Sequence, residues 1–312
     1  KKNAVVVGDR VRWQVSGDEG SIEQVLERRN LFYRQDEMRT KSFAANLDQV
    51  LVLVAAEPEF SETQLARALI AAEAERIEVL VVLNKSDLAT AFERAWQRLA
   101  PYRRMGCSVL PLCLQPGSEQ GLGELQQRLQ GRCTLVLGPS GVGKSTLVNR
   151  LVPLAGAQTG EISKALNSGK HTTTSTTWYW VDQARETALI DSPGFQEFGL
   201  HHIEATQLAS LMPDLRATMG DCRFYNCTHL HEPGCGVRAH VGADPQTDAR
   251  VIRLMVYVWL MMEMDAIDYL ATVFIDTPAA SATGSTMSAV AAVSGLPQAD
   301  QTSRTSGRQG PP

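Results

Sequence analysis

Apolar and polar positions alternate in blocks through the middle of the chain. The run LDQVLVLVAAEP, from Leu47, is largely apolar, which is typical of a strand buried on both faces of a sheet. The next segment, SETQLARALIAAEAER, has helical spacing, with Ser61 as a plausible N-cap and Glu62 in the first turn. IEVLVVLNKSDL, from Ile77, then predicts a second buried strand that ends in polar residues.

The same alternation continues toward residue 194. AFERAWQRLAPYRRMG and LGELQQRLQG have helical spacing, and CSVLPLCL between them is strand-like. CTLVLGPSGVGKSTLVNRL predicts a strand, a glycine-rich turn and a helix, and ETALIDSPG predicts a strand that leads into a loop. The pattern therefore predicts the α/β class, with a sheet covered by helices on both faces.

The two ends of the chain differ from the middle. Strand-like pieces before residue 47 are broken by Gly17, Asp18 and Gly20, and short loops bearing Cys and His follow residue 205. The apolar run VIRLMVYVWLMM begins at Val251, contains Arg253 and is followed by acidic residues. It is therefore too short and too charged to span a bilayer. We expect an N-terminal β segment at 1–47, an α/β domain at 48–205, a Cys/His module at 206–250, a divergent apolar, helical segment at 251–276 and a disordered tail at 277–312.

Composition narrows the class of protein. The chain has 312 residues, 44% of them hydrophobic and 21% charged, with a formal net charge of −4, so it is globular and not a polycation. Any RNA contact must use a local basic patch.

We expect no signal peptide and no membrane partner, and therefore a cytoplasmic location. We also expect the protein to be a monomer. Cys107, Cys113 and Cys133 lie among apolar residues and are interpreted as core residues.

The strongest motif is GPSGVGKS, from Gly138 to Ser145, which fits the pattern GxxxxGK[ST] between a strand and a helix. Glycine lets backbone N–H groups approach a polyphosphate at the positive end of a helix. Lys144 is expected to neutralise the β- and γ-phosphates and the Ser145 hydroxyl to coordinate Mg²⁺. The motif predicts a nucleotide-binding phosphate loop.

A second motif, Asn84-Lys85-Ser86-Asp87, selects the base. A carboxylate at the end of a strand can accept two hydrogen bonds from guanine, whereas adenine would leave Asp87 unpaired. NKSD is a weak match alone, but it is strong beside a phosphate loop, and it has no purpose in an ATP-using kinase. The nucleotide-binding residues expected from both motifs are Asn84, Lys85, Asp87, Gly138, Pro139, Ser140, Gly141, Val142, Gly143, Lys144, Ser145 and Thr146.

A third motif, DSPG, adds groups for hydrolysis. Asp191 can hold Mg²⁺ through water, and the Gly194 N–H can sense the γ-phosphate. Thr173 is the favoured switch hydroxyl, with Thr172 and Thr174 as alternatives. Phe195 stands where many GTPases carry the Gln that orients water, and a phenyl ring cannot do this. The positioning of the water is left open between a partner and one of three histidines, His171, His201 and His202.

The Cys/His module carries the pattern Cys222-x4-Cys227-x-His229-x5-Cys235. Three thiolates and an imidazole suit a closed, tetrahedral, structural Zn²⁺ site. The alternative is a set of free reduced cysteines. His231 and His240, which lie nearby, are interpreted as surface groups.

The order of the motifs is permuted. In the usual GTPase the phosphate loop comes first and NKxD last, whereas here NKSD precedes GPSGVGKS, the threonine run and DSPG. Circular permutation moves the termini without changing which strands are neighbours. DSPG therefore leads directly into the Cys/His module.

These motifs together, with GDRVRW, GKHTTT, DSPGFQEFGL and CRFYNCTHLHEPGC, resemble those of the ribosome small-subunit-dependent GTPase A family of bacteria. The resemblance covers residues 5 to about 240. It implies a circularly permuted P-loop GTPase domain between an N-terminal OB-like segment and a C-terminal zinc-binding domain. It also implies GTP hydrolysis stimulated by the small ribosomal subunit during its late maturation. The OB-like segment is short, and the chain departs from the family after about Gly242 through an altered reading frame or an extension.

Two other functions are compatible with the motifs. The chain could be a GTPase switch with another RNA or protein client, or a GTP-binding module with little useful hydrolysis. Contacts to small-subunit rRNA would come from two groups of residues. These are Arg28, Arg29, Phe32, Tyr33, Arg34, Arg39 and Lys41 in the N-terminal segment, and Arg223, Phe224 and Tyr225 in the Cys/His module. Each group is also compatible with an ordinary solvated face.

Overall fold

The computed structural model describes residues 5–17, 19–36, 39–153, 155, 176–194, 198–240, 256–258 and 260–261. Ten strands are assigned among these residues: β1 (Val11–Ser16), β2 (Glu19–Val25), β3 (Leu31–Gln35), β4 (Thr40–Ala45), β5 (Gln49–Ala55), β6 (Glu78–Asn84), β7 (Ser108–Pro111), β8 (Cys133–Leu137), β9 (Thr177–Trp180) and β10 (Ala188–Asp191). The helices of the central domain are α1 (Glu62–Ala74), α2 (Ala89–Arg98), α3 (Ala100–Arg104), α4 (Leu122–Leu129) and α5 (Lys144–Leu151). Further helical segments follow at Ala205–Leu208, Ala209–Leu211 (3₁₀), Pro213–Met219 and Gly236–Ala239.

A six-stranded sheet organises the central domain, in the order β7-β6-β5-β8-β10-β9. All neighbours are parallel except β9, which runs antiparallel to β10 at one edge. The central strand β5 therefore lies between β6, which ends at the NKSD motif, and β8, which ends at the phosphate loop. The α/β prediction and the two buried strands are confirmed.

Both faces of this sheet are covered by helices, as the sequence predicts. Alternate residues of β5 point to opposite sides, so Val50, Val52 and Val54 belong to one core and Leu51 and Leu53 to the other. The first core includes apolar residues of α1 to α3, and the second includes those of α4 and α5. Burial on both faces explains why β5 and β6 are almost continuously apolar.

Local signals account for the helix boundaries in this domain. The Ser61 hydroxyl accepts a hydrogen bond from Gln64 N at 3.3 Å, so the predicted N-cap of α1 is confirmed. The single helix expected over AFERAWQRLAPYRRMG is wrong, because α2 ends at Arg98 and α3 begins at Ala100. Pro101 explains the break, since it has no N–H to donate and its ring clashes with a carbonyl in the preceding turn.

The N-terminal segment forms two antiparallel hairpins, β1–β2 and β3–β4, in separate two-stranded sheets. The β1–β2 hairpin leaves Trp13 and Val15 largely exposed, while the β3–β4 hairpin buries Phe32 and Phe43 in the core shared with α1. A parallel bridge between Gln35 and Leu200 joins β3 to the chain beyond DSPG. The second hairpin is thus packed on the central domain.

The C-terminal module packs on the same core. Leu208, Met212 and Leu230 are nearly inaccessible to solvent and belong to the cluster that includes α1. Part of the divergent segment is helical at residues 256–258 and 260–261, and Tyr257 is buried against this module. The predicted tail at 277–312 lies outside the described residues, in which no helix is long and apolar enough to cross a bilayer.

Candidate nucleotide and metal sites

Three motifs meet at one edge of the central sheet. β6, β8 and β10 are parallel strands separated only by β5, and they end at Asn84, Leu137 and Asp191. The carboxyl ends of parallel strands therefore place NKSD, the phosphate loop and DSPG side by side. This edge is where open α/β sheets bind ligands.

Close packing explains the glycines of the phosphate loop. A Cβ on Gly138 would overlap the carbonyl oxygen of Leu53, on the neighbouring strand β5. Gly143 has φ +105°, and a Cβ there would lie 2.6 Å from Asn84 Nδ2. Gly141 has φ +83° but is exposed, with only Pro58 near its added Cβ. The loop is consequently tight against β5 and β6 on one side and open to solvent on the other.

Asn84 links the two halves of the site. Its Nδ2 donates a hydrogen bond of 2.9 Å to Val142 O in the phosphate loop, although 58 residues separate the two in sequence. The side chain is buried, and its Oδ1 has no hydrogen-bond partner among the described residues. The structure thus gives Asn84 a contact with the loop itself, which sequence reasoning missed by grouping it only with the base-binding residues.

Lys144 begins α5 and lies 9% exposed inside the loop. Its Nζ donates to Gly138 O at 2.7 Å and to Pro139 O at 2.9 Å. Burial lowers the pKa of Lys144 to about 8, although nearby Asp191 acts in the opposite direction. A buried ammonium in a glycine-rich loop at a helix N-terminus is suited to a polyphosphate, whose charge would favour the protonated form.

Asp191 supplies a carboxylate beside this ammonium. It is 2% exposed, and its Oδ1 is buried without a hydrogen-bond partner among the described residues. Burial raises the pKa of Asp191, while Lys144 and the Ser192 N–H act to lower it. An anionic oxygen without a partner, next to the Ser145 end of α5, is the kind of ligand that Mg²⁺ accepts.

The DSPG loop lies against the phosphate loop. Ser192 Oγ donates to Val136 O at 2.7 Å, which fixes the start of the loop on β8. A Cβ on Gly194 would lie 3.2 Å from Lys144 Nζ and 3.5 Å from Ser140 N. Gly194 is therefore adjacent to the phosphate-binding groups. The predicted switch residues Thr172, Thr173 and Thr174, together with Phe195 and His171, lie outside the described residues.

The proposed base acceptor, Asp87, has two polar neighbours from the loop after β7. Cys113 Sγ donates to Asp87 Oδ1 at 3.5 Å, and Gln115 Nε2 donates to Oδ2 at 3.5 Å. Lys85 adopts φ +66°, which turns the chain sharply after β6. In the first turn of α5, Ser145 is half-buried and Thr146 is exposed. The sheet thus brings the NKSD residues to the same edge as the phosphate loop and the start of α5.

The four residues of the Cys/His pattern form one cluster. One ligand atom from each of Cys222, Cys227, His229 and Cys235 lies within 4.8 Å of the others. His229 presents Nδ1, at 3.5 Å from Cys222 Sγ and 3.6 Å from Cys235 Sγ. Burial raises the pKa of Cys227 to about 12, so metal loading must displace its proton. Three sulfurs and one imidazole nitrogen at this spacing fit a metal such as zinc.

Two residues that sequence reasoning missed support the cluster. Glu232 accepts hydrogen bonds from Thr228 N at 2.8 Å and Thr228 Oγ1 at 2.6 Å. Burial acts to raise the pKa of Glu232, but the hydrogen bonds from Thr228 and His231 outweigh it and bring it to about 2. Tyr257 donates to Thr228 O at 2.9 Å from the divergent segment. Both residues hold Thr228, which lies between the ligands Cys227 and His229. No sequence motif marks Glu232 or Tyr257 for this role.

Part of the N-terminal basic group contacts other residues of the protein. Arg28 pairs with Asp9 at 2.7 Å, and Arg29 pairs with Asp48 at 2.7 Å. The prediction that Phe32 stacks on a base is wrong, because its ring is 0% exposed in the core. Tyr33 packs on His202, with ring centroids 4.3 Å apart. Strand alternation places Phe32 inward, and the fold supplies acidic partners for Arg28 and Arg29, whereas Arg39 and Lys41 are exposed.

The other candidate RNA contacts are more accessible. Tyr225 is fully exposed, Phe224 is 40% exposed, and the Arg223 guanidinium lies 5.4 Å from the Phe224 ring centroid. Of the histidines considered for positioning the attacking water, His202 is half-buried against Tyr33, whereas His201 is exposed and donates its backbone N–H to Gln35 O. The surface of the Cys/His module therefore offers aromatic rings that the β3–β4 hairpin does not.

The permuted sheet, the phosphate loop and the NKSD edge define a circularly permuted GTPase. The family model described as RsgA GTPase matches residues 25–201. A solved structure described as YloQ, a circularly permuted GTPase, superposes with a TM-score of 0.62 at 27% identity, covering 85% of this chain and 82% of that one. YjeQ from Thermotoga maritima gives a TM-score of 0.63 at 27% identity, covering 86% and 87%.

Curated relatives agree with this assignment. A protein of Variovorax paradoxus (strain S110), named small ribosomal subunit biogenesis GTPase RsgA, is 72% identical over 243 residues, or 78% of this chain and 76% of that protein. A Burkholderia mallei (strain SAVP1) protein with the same name is 54% identical over 238 residues, or 76% and 75%. The chain belongs to the RsgA GTPase family, as its motifs predicted, and it is a GTPase.

The contact between Asn84 and Val142 generates a testable prediction about the phosphate loop. Replacing Asn84 with Ala removes the hydrogen bond to a buried carbonyl, so the free energy of unfolding should fall by about 1–3 kcal/mol. Urea unfolding followed by circular dichroism measures this change. Gln97→Ala removes an exposed hydrogen bond to Glu93 and serves as the control, with an expected change within about 0.5 kcal/mol. Equal stability of the two variants would contradict the structural role of Asn84.

Proposed function

We propose that GTP hydrolysis by this chain serves the maturation of the small ribosomal subunit. The observation that carries the proposal is the family assignment, because relatives that share most of this chain bear that function in their names. The protein would act in the cytoplasm, as a monomer, on GTP and on small-subunit rRNA. The arrangement of side chains at the sheet edge supports the hydrolytic part of this proposal.

The phosphate loop is the proposed cradle for the triphosphate. Backbone N–H groups between Gly138 and Thr146, other than at Pro139, would bind the phosphates at the start of α5. Lys144 would exchange its two carbonyl contacts for phosphate oxygens. Ser145 and Asp191 would hold Mg²⁺, for which the orphaned Asp191 oxygen is the supporting observation. Mg²⁺ held by these two side chains would help to neutralise the negative charge of the phosphates.

Guanine would be read by Asp87. Its carboxylate would accept hydrogen bonds from the guanine ring N–H and the exocyclic amine, while Cys113 and Gln115 hold the carboxylate in place. Adenine offers no matching donors, so it would leave a charged oxygen unpaired. Lys85 would lie along the same edge of the base. Asn84 would act indirectly, through the loop that it holds.

Activation of water requires groups beyond this set. Gly194 would sense the γ-phosphate through its N–H, and Thr173 would supply the switch hydroxyl. Phe195 in the usual glutamine position cannot orient water, so intrinsic hydrolysis should be slow. A docked small subunit would order the switch residues, as activating proteins do for other GTPases.

The metal centre is proposed to hold one structural Zn²⁺. Four protein ligands would leave no open position for a catalytic water. Zn²⁺ would cross-link the loop that presents Arg223, Phe224 and Tyr225, so that these exposed side chains can stack on or pair with rRNA.

Base selectivity tests the role of Asp87. Asp87→Asn should weaken GDP binding by about 10²-fold or more, since it removes the charge and replaces one acceptor oxygen with an NH₂ donor. The same change should favour xanthosine diphosphate, which presents a carbonyl to the new amide. Competition against a fluorescent GDP analogue measures both affinities. Glu124→Gln, an exposed carboxylate on α4, is the matched control and should bind GDP normally. If wild-type protein bound ADP as well as GDP, the assignment of Asp87 would fail.

Stimulation by ribosomal subunits tests the cellular function. We expect purified small subunits to raise the rate of GTP hydrolysis by about tenfold or more at low salt, and large subunits to have no such effect. Lys144→Ala, which loses the phosphate-binding ammonium, should remain inactive in both reactions. A rate that small subunits leave unchanged would point to a different client, while a rate of zero under all conditions would point to a GTP-binding module.

Metal content tests the zinc site. Protein prepared without chelator should carry about one Zn²⁺ per chain by elemental analysis. Cys227→Ser should lower this content and loosen the C-terminal module while GDP binding persists, because the nucleotide edge lies on other elements. Cys107→Ser, outside the cluster, is the control and should retain the metal. Wild-type protein without zinc would refute the proposal.

A further inference from the structure

The chain that leaves the DSPG loop is anchored on the N-terminal β3–β4 hairpin. Phe198 is 1% exposed, and its ring centroid lies 5.7 Å from that of Phe32 and 6.0 Å from that of Phe43. The rings of Phe43 and Phe198 are nearly parallel, with an interplanar angle of 2°. Phe198 is therefore held by close packing against two aromatic rings of the hairpin.

Backbone contacts extend this anchor. Gln35 N donates to Gly199 O at 3.2 Å and His201 N donates to Gln35 O at 3.0 Å, which adds the segment to β3 as a parallel neighbour. A Cβ on Gly199 would overlap Asp36 Oδ1 and Gln35 O, so only glycine allows this approach. Arg67 Nη1, from α1, donates to Phe198 O at 2.7 Å and holds the same point from the other side.

The opposite end of this short connection is the phosphate loop. Gly194 lies beside Lys144 Nζ and Ser140 N, and Ser192 is fixed on β8. Only three residues separate Gly194 from Phe198, and four peptide units span at most about 14 Å. The contact with the phosphate-binding groups and the contact with the hairpin are therefore close neighbours along the chain.

We propose that Phe198 and Gly199 are positioning residues that couple the γ-phosphate state at Gly194 to the β3–β4 hairpin. The coupling works in both directions. If the bound nucleotide changes the conformation of the hairpin, then a partner that binds the hairpin must change the affinity for that nucleotide. A ribosomal subunit docked on the N-terminal segment would thereby reposition Gly194 and accelerate hydrolysis. The second part rests on the proposed function, whereas the coupling itself requires only GTP binding.

Hydrogen exchange tests the coupling without ribosomes. The backbone amides of Gln35 and His201 report directly on the bonds between hairpin and anchor. In the full chain, their exchange rates should differ by about fivefold or more between GDP and a non-hydrolysable GTP analogue, the range expected of a coupling free energy. Phe198→Leu and Gly199→Ala should reduce this difference to less than twofold.

Two controls make the exchange experiment decisive. Phe92→Leu alters another aromatic pair, with Trp96 on α2, and should keep the wild-type difference. Nucleotide affinity should change less than about threefold in the Phe198→Leu variant, since Phe198 is not among the proposed nucleotide-binding residues. Identical exchange in the GDP and GTP-analogue states of wild-type protein would overturn the coupling. A difference that survives in a folded Phe198→Leu variant would overturn the role of Phe198.

Kinetics with small subunits test the consequence. In Phe198→Leu, the maximal stimulated rate should fall by about fivefold or more, while the half-saturating subunit concentration and the basal rate stay near wild type. A residue that merely builds the docking surface would instead raise the half-saturating concentration, and that result would overturn the proposal. If wild-type protein is not stimulated by subunits at all, the proposed ribosomal function fails, while the exchange result still decides the coupling.

Discussion

The pairing of β5 with β6 on one side and β8 on the other is the constraint on which the functional site depends. β5 contributes no predicted ligand of its own, yet it sets the spacing between the strand that ends at Asn84 and the strand that ends at the phosphate loop. The Leu53 carbonyl fills the space where a side chain on Gly138 would lie, and Asn84 bridges to Val142 across the same gap. A nucleotide site split between two distant parts of the sequence becomes one surface because this strand is buried between them.

Because the motif order is permuted, the chain that leaves the nucleotide site at DSPG continues into the flanking parts of the structure. DSPG is followed by a segment anchored on β3, and then by the metal-binding module, so the end of the nucleotide site is connected to both flanking units. Helix α1 and its C-cap support this arrangement. Arg67 donates to Phe198 O, the C-cap residue Glu75 accepts from Leu31 N at 3.2 Å, and Glu73 pairs with Arg216 at 2.6 Å. One helix therefore contacts the N-terminal hairpin, the exit of the DSPG loop and the C-terminal module.

Much of this architecture could be predicted from local patterns. Buried parallel strands are recognisable as apolar runs, the N-cap at Ser61 is a local signal, and each chemical motif occupies a few consecutive residues. The burial of Phe32 and the pairing of Arg28 with Asp9 could not be predicted, because they depend on which face of β3 meets the core and on a partner 19 residues away. Glu232 and Tyr257 were missed for the same reason, since their contacts to Thr228 form only in the folded module.

A crystal structure with GDP and Mg²⁺ would show whether the three motifs form one nucleotide site at the sheet edge. The guanine edge should lie within hydrogen-bond distance of both Asp87 carboxylate oxygens. The phosphates should contact the N–H groups between Gly138 and Ser145, with Lys144 Nζ on the β-phosphate. A base bound away from Asp87, or phosphates held outside the glycine-rich loop, would contradict a shared site at this edge.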